Sequence, residues 1–352
     1  MLYNHMEDPM SRLLLPLSLT GALLSGTAIA DVPRVAVDIA PVHSLVARVM
    51  QGVGTPDLIV QPGASPHEYS LRPSEASALQ EADLVVWIGE DLTPWLHDAI
   101  GTLAKDAAVT ELLEADGTML LEFREGALFE AHDHDDEDDH KDEHDHADEH
   151  DHKDEHDHAD EAHADEEKAH DDKDHADHDH AHGEHDPHAW LSTQNAATWL
   201  NLIAGQLSAA DPENAGTYFA NAAAARGEIE ALNGEIRAVL DPVRGGQFIV
   251  FHDAYQYFET DFDFPASGAI SISDASDPGP ARITEIQARI AEQGIDCVLA
   301  EPQFNPDMVA TVLDGTQAST AIIDPLGSDI ELGPALYPQL MRNLASNLAG
   351  CL

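Results

Sequence analysis

The stretch from His132 to His188 limits the fold more than any other part of the sequence, because almost nothing in it can enter a core. It carries 17 of the 22 histidines, 27 Asp and Glu residues and four lysines. A 12-residue unit, KDEHDHADEHDH, starts at Lys141 and restarts at Lys153 as KDEHDHADEAHA. Such low hydropathy and high charge cannot offset the entropy of ordering, so residues 132–185 are expected to be a disordered loop without metal. The fold must be built from the chain on either side. His188 stands apart: it lies in DPHAWLSTQNAATWL, where an apolar helical pattern begins.

The same composition generates false motifs. His140-Lys141-Asp142-Glu143-His144 fits the inverted zinc-peptidase pattern, but a His- and Glu-rich tract yields that match by chance and no stable helix supports it. No H-E-x-x-H occurs in the chain. The formal charge is −51, of which −28 lies outside the tract. Such a chain repels nucleic acid and anionic membrane surfaces, and attracts cations.

The N-terminus has the form of an export signal over residues 1–30. Arg12 precedes the apolar run Leu13 to Leu24, and Ala28-Ile29-Ala30 supplies a small-residue cleavage site before Asp31. Met10 is a more usual start for such a signal than Met1. The run is shorter than the roughly 20 apolar residues a membrane span needs. Two cysteines are present, Cys297 and Cys351. In an exported chain an oxidising compartment favours their pairing over two separate thiols.

From Asp31 onward β-rich runs alternate with amphipathic runs. Strands are expected at Arg34–Ile39, Asp57–Val60, Asp83–Gly89, Gln247–Phe251, Gly268–Ser273, Asp296–Ala300 and Thr320–Ile323. Helices are expected at His43–Met50, Pro73–Glu81, Thr93–Leu103, Ser192–Ser208, Ala281–Gln293, Asp307–Gly315 and Pro334–Ala349, with another starting near His252. Asp211-Pro212-Glu213 reads as the start of a long Ala-rich helix ending at Leu240. This is an α/β pattern: two lobes with parallel sheets flanked by helices, joined by one long linking helix. The lobes divide as 31–131 plus 186–210, and 241–352, with 211–240 as the link.

In open α/β folds ligands bind beyond the carboxyl ends of strands. His67 (GASPHEYSLRPS), His252 (IVFHDAY) and Asp324 (AIIDPLG) all fall just past strands, and His188 falls at the start of an element. Two come from each lobe, so they meet in the inter-lobe cleft. Three imidazoles and a carboxylate suit tetrahedral zinc, whereas calcium favours oxygen almost alone. Glu68, Glu301 and His43 are candidates to support these ligands from behind. His132, His134, His140, His144, His146, His150, His152, His156 and His158 offer weak accessory metal sites in the tract.

The segments GASPHEYSLRPS, DLVVWIG, DPHAWLS, FIVFHDAYQYFE, CVLAEPQF and IDPLG resemble, in order and over nearly the whole mature chain, the periplasmic zinc-binding protein of ABC-type zinc importers (the ZnuA type) within the metal-binding class of solute-binding proteins. The resemblance implies Zn(II) as a transported ligand held by His67, His188, His252 and Asp324, a rigid linking helix and a disulfide between Cys297 and Cys351. Manganese-specific relatives carry Glu where this chain has His252. Some zinc-specific relatives carry an acid just before the first His ligand, and here that position is Pro66, which leaves Asp324 or water as fourth ligand. The implied role is a monomeric, non-enzymatic periplasmic receptor that delivers zinc to an ABC permease subunit in the inner membrane. A zinc buffer working through the tract is the alternative. A zinc hydrolase would also need a general base, and no recognised catalytic set is present.

Overall fold

In the computed structural model residues 32–124, 129, 185–271 and 278–352 are described. The expected export signal and almost all of the expected disordered tract lie outside them.

Two short, wholly buried strands centre the first sheet, β1 (Val35–Val37) and, after it in the chain, β3 (Leu84–Trp87). Between them in sequence is the edge strand β2 (Asp57–Leu58), and the other edge is β4 (Ala108–Glu111). The order is β2-β1-β3-β4, all parallel. Unbroken apolar runs are what strands covered on both faces require. Helices α1 (Ala40–Val49), α2 (Pro73–Glu81) and α3 (Pro94–Leu103) connect them. Each has proline in its first turn, where a missing N–H costs nothing. A short 3-10 turn, Ala189–Leu191, then leads into α4 (Thr193–Ala210).

Helix α5 (Ala215–Leu240) is 26 residues long, about 39 Å. Its buried residues are Tyr218, Ala222, Ala225, Ile229, Leu232, Ile236 and Leu240, a single stripe at spacings of three and four. The helix begins later than the Asp-Pro-Glu signal indicates. Asp211 instead closes α4 and turns its carboxylate to Asn214 and to the Tyr218 hydroxyl.

The second sheet repeats the plan of the first. It contains β5 (Phe248–His252), β6 (Ala269–Ser271), β7 (Cys297–Ala300) and β8 (Ser319–Ile322). Their order is β6-β5-β7-β8, again all parallel. Helices α6 (Gln256–Phe262), α7 (Pro280–Gln293), α8 (Pro306–Leu313) and α9 (Leu336–Cys351) complete this half. His252 belongs to β5 rather than to a helix start, and α6 opens four residues later. Cys297, the first residue of β7, is joined by a disulfide to Cys351, the last of α9.

Three apolar clusters hold these layers. One packs α2 and α3 on the outer face of the first sheet through Leu79, Leu96 and Ile100. A second packs α7 and α8 on the outer face of the second sheet through Ile286, Ile290, Val309 and Val312. The largest runs without a break from Val37 and Val46 through Trp199 and Leu232 to Phe248, Tyr337 and Leu344. The described residues from Val32 to Leu352 therefore form one compact unit with two sheets, braced by α5 against α1, α4 and α9. Among the described residues no helix is long and apolar enough to cross a membrane.

Candidate metal centre

In both sheets the chain steps outward after the first strand and then crosses back, which opens a crevice at the carboxyl ends of the two central strands. In the second sheet that crevice lies between β5 and β7. His252 ends β5, and Glu301 follows β7. The Glu301 Oε1 accepts a hydrogen bond from His252 Nδ1 at 2.6 Å, and its Oε2 accepts from Gln303 Nε2 at 2.8 Å. Both residues are buried, at 3% and 4% exposure. The imidazole also lies edge-on to Phe304, which stacks on Phe251 at 4.1 Å. That contact fixes the ring in position and makes Nδ1 the donor.

His188 is held in a similar way. Asp186 Oδ1 accepts from both the backbone N–H of His188 at 3.0 Å and its Nδ1 at 2.7 Å. Asp186 is itself tied down: its N–H donates to Leu121 O at 2.8 Å, and its carbonyl accepts from the Tyr257 hydroxyl at 2.9 Å. Burial pushes the Asp186 carboxyl up to about 7, against the lowering pull of the His188 N–H and of positive charge on Arg124 and His252. Two residues past His188, Trp190 Nε1 donates to Pro325 O at 2.8 Å, tying this turn to the loop that bears Asp324.

His67 sits in the loop after β2 and is only half-buried. Trp95 Nε1 donates to Pro66 O at 2.7 Å, and the His67 N–H donates to Ser65 Oγ at 3.2 Å. Asp324 follows β8. Its Oδ1 accepts from the N–H groups of Leu326 and Gly327, and its Oδ2 from Ser328 N and Oγ, at 2.5–3.0 Å. Burial first, then the charges of Glu301 and Asp324, push the Tyr255 hydroxyl well above its usual range.

The rings of His188 and His252 are 5.3 Å apart between centroids, and those of His67 and His188 are 5.6 Å apart. An imidazole bound at about 2.0 Å has its centroid about 3.2 Å from zinc, and tetrahedral angles set two such centroids about 5.2 Å apart. Both measured separations are close to that value. Among the described residues no three His, Cys, Asp or Glu side chains are drawn tightly enough to hold an ion.

Of the supporting residues expected from sequence, Glu301 stands behind His252. Glu68 is exposed, and His43 is buried with its Nε2 donating to Pro56 O at 3.1 Å. Sequence reasoning passed over Asp186, although Asp-Pro-His carried the signal: an Asp two residues before a loop His can accept from that residue's backbone and ring together. The nine tract histidines lie outside the described residues.

Two parallel α/β halves around one long helix, with imidazoles gathered at strand ends, define the solute-binding proteins that take metal ions. The crystal structure of a ZnuA protein shares this fold, with TM-score 0.67 and 21% identity, covering 91% of this chain and 99% of that one. The chain belongs to the family described as zinc-uptake complex component A, periplasmic, which it matches over residues 35–351. It is 49% identical over 318 residues to the high-affinity zinc uptake system protein ZnuA of Brucella abortus (strain 2308), covering 90% of this chain and 91% of the relative. It is 44% identical over 342 residues to the ZnuA of Paracoccus denitrificans (strain Pd 1222), covering 96% and 98%. The family's members are transport binding proteins rather than enzymes.

Proposed function

We propose that this protein captures Zn(II) in the periplasm with His67, His188, His252 and Asp324 and delivers it to an ABC-type permease in the inner membrane. One observation carries the reading: His188 and His252 stand 5.3 Å apart, each fixed through Nδ1 by a buried carboxylate. Outer carboxylates of this kind set the tautomer and raise the basicity of zinc-bound imidazoles. Asp324 fits as the weakest of the four, because four donors already engage its two oxygens. Binding needs neutral imidazoles, so affinity falls as the pH drops through the histidine range. In this reading residues 1–30 direct export, the receptor works as a monomer, and the tract histidines collect zinc loosely.

Zinc titration tests the assignment. Deleting residues 132–184 should remove the weak sites and leave one tight 1:1 site. Adding His188→Ala to that deletion should abolish the tight site. Retention of the tight site in the double variant excludes His188 as a principal ligand. Its loss on tract deletion alone favours a buffer.

A further inference from the structure

The strand-like passage that enters the tract crosses from the first half onto the second. Met119 is bonded to Asn195 through both its N–H and its carbonyl. Leu121 donates its N–H to the Tyr257 hydroxyl at 3.0 Å and accepts from Asp186 N. Glu122 forms an antiparallel bridge with His185. Two residues on, Arg124 reaches into a pair of buried carboxylates. Its Nε and Nη2 engage both oxygens of Asp253, and its Nη1 and Nη2 engage both oxygens of Glu259. The ring of Phe129 covers the guanidinium at 3.5 Å. Asp253 directly follows His252, and Glu259 is one turn into α6. The passage that carries this clamp is the same one that pairs with Asp186, the partner of His188.

We propose that Arg124 is a positioning residue for the metal site: its double fork locks the passage supporting Asp186 to the loop behind His252, and so holds His188 and His252 at ligating separation. The proposal rests on the zinc reading above. Arg fits this role better than Lys because its planar fork meets two carboxylates with four directed bonds, whereas an ammonium offers a point charge. Charge and geometry also predict opposite signs here. A cation near a zinc site repels the ion, so if only its charge mattered, neutralising Arg124 would tighten binding. If it positions the ligands, neutralising it weakens binding.

The test uses the full chain and reads its tightest site with Zn(II) against a competing chelator, and with Co(II) by absorption. Arg124→Gln should weaken the tight site by about 10–100-fold, the scale of outer-shell losses. It should also alter the tetrahedral Co(II) spectrum. Arg124→Lys, which keeps charge against both carboxylates and so protects folding, should give a smaller loss and a spectrum nearer the wild type. Unchanged or tighter binding in both variants, with only thermal stability reduced, overturns the proposal. Wild-type binding that survives His252→Ala undamaged overturns the zinc assignment beneath it, and shows in the wild-type comparison before any Arg124 variant is read.

Discussion

The two sheets have the same strand order but use the equivalent crevice differently. In the first, the residue after β1 is Asp38. Its oxygens accept from the N–H groups of Ile39 at 2.7 Å and Ile88 at 2.6 Å, which closes the gap beyond β1 and β3 with a carboxylate. In the second, the gap beyond β5 and β7 is filled by His252 and Glu301. One topology thus yields a structural plug in one half and a candidate ligand in the other. The first half supplies its ligands from loops instead. His188 arrives on a turn fastened to the second half through Tyr257 and Pro325, whereas His67 sits in a half-buried loop whose Pro66 carbonyl is held by Trp95 of the same half. On the proposed zinc reading His188 and His252 are the preorganised pair, and more of the ordering on binding falls to the half-buried His67.

Removing His252 tests this difference most severely. His252→Ala should cost more than the roughly 100-fold upper range of outer-shell losses, measured as tight-site zinc affinity by competition. It also leaves Glu301 buried without its imidazole, so apo stability should fall too. His67→Ala should cost less than His252→Ala and leave apo stability almost unchanged, because a half-buried loop side chain contributes little to the core. Equal losses of affinity and stability for the two variants would erase the distinction between them.

The plug in the first sheet predicts a pH effect that the zinc site should not share. Burial pushes the Asp38 carboxyl up to about 7, against the lowering pull of the Ile88 and Ile39 amides. The unfolded chain ionises this group near the ordinary value of 3.8. Between those values the folded state holds the extra proton, so the contribution of Asp38 to stability is greatest below that lower value and falls as pH rises toward 7. Denaturant melts of wild type and Asp38→Asn across this window should show their difference changing by about 1–3 kcal/mol, with the full shift as an upper bound. Below 3.8, where the group is protonated in both states, the variant should lose about 1–3 kcal/mol, since an amide has one acceptor oxygen for two N–H donors, and that deficit should shrink as pH rises. Tight-site zinc affinity should be nearly the same in both proteins.

Much of the fold was legible in the sequence. The strand runs QFIVF and DLVVWIG mark the central strands because each has an unbroken apolar middle, FIVF and LVVWI, and α2 falls where Pro73 and Glu81 place it. Edge strand β4 gave no such signal: AVTE is only half apolar, its two apolar residues are exposed, and its pairing is with β3 beside it. His67, His188 and His252 stand out as candidates because histidines near element ends are few once the tract is set aside. Their supports are harder to see. Glu301 is 49 residues from His252, and Arg124 is 129 from Asp253. Contacts of that range come from strand order and chain crossing, which residue patterns do not encode locally.

The smallest expected effect bears most directly on what distinguishes the two crevices. Glu301→Gln keeps an oxygen for His252 Nδ1 but removes the negative charge and turns an amide nitrogen toward Gln303 Nε2, now a donor facing a donor. Gln303 can rotate its own amide to accept, so the ring should stay in place while its basicity falls. Tight-site affinity should drop about 10-fold, at the lower end of outer-shell losses. Glu301→Ala, which frees the ring as well, should fall further. A Gln variant as weak as the Ala variant would mean that charge alone matters. A Gln variant equal to wild type would mean that Glu301 only orients the imidazole, in which case the second crevice, like the first, is held by hydrogen-bond geometry.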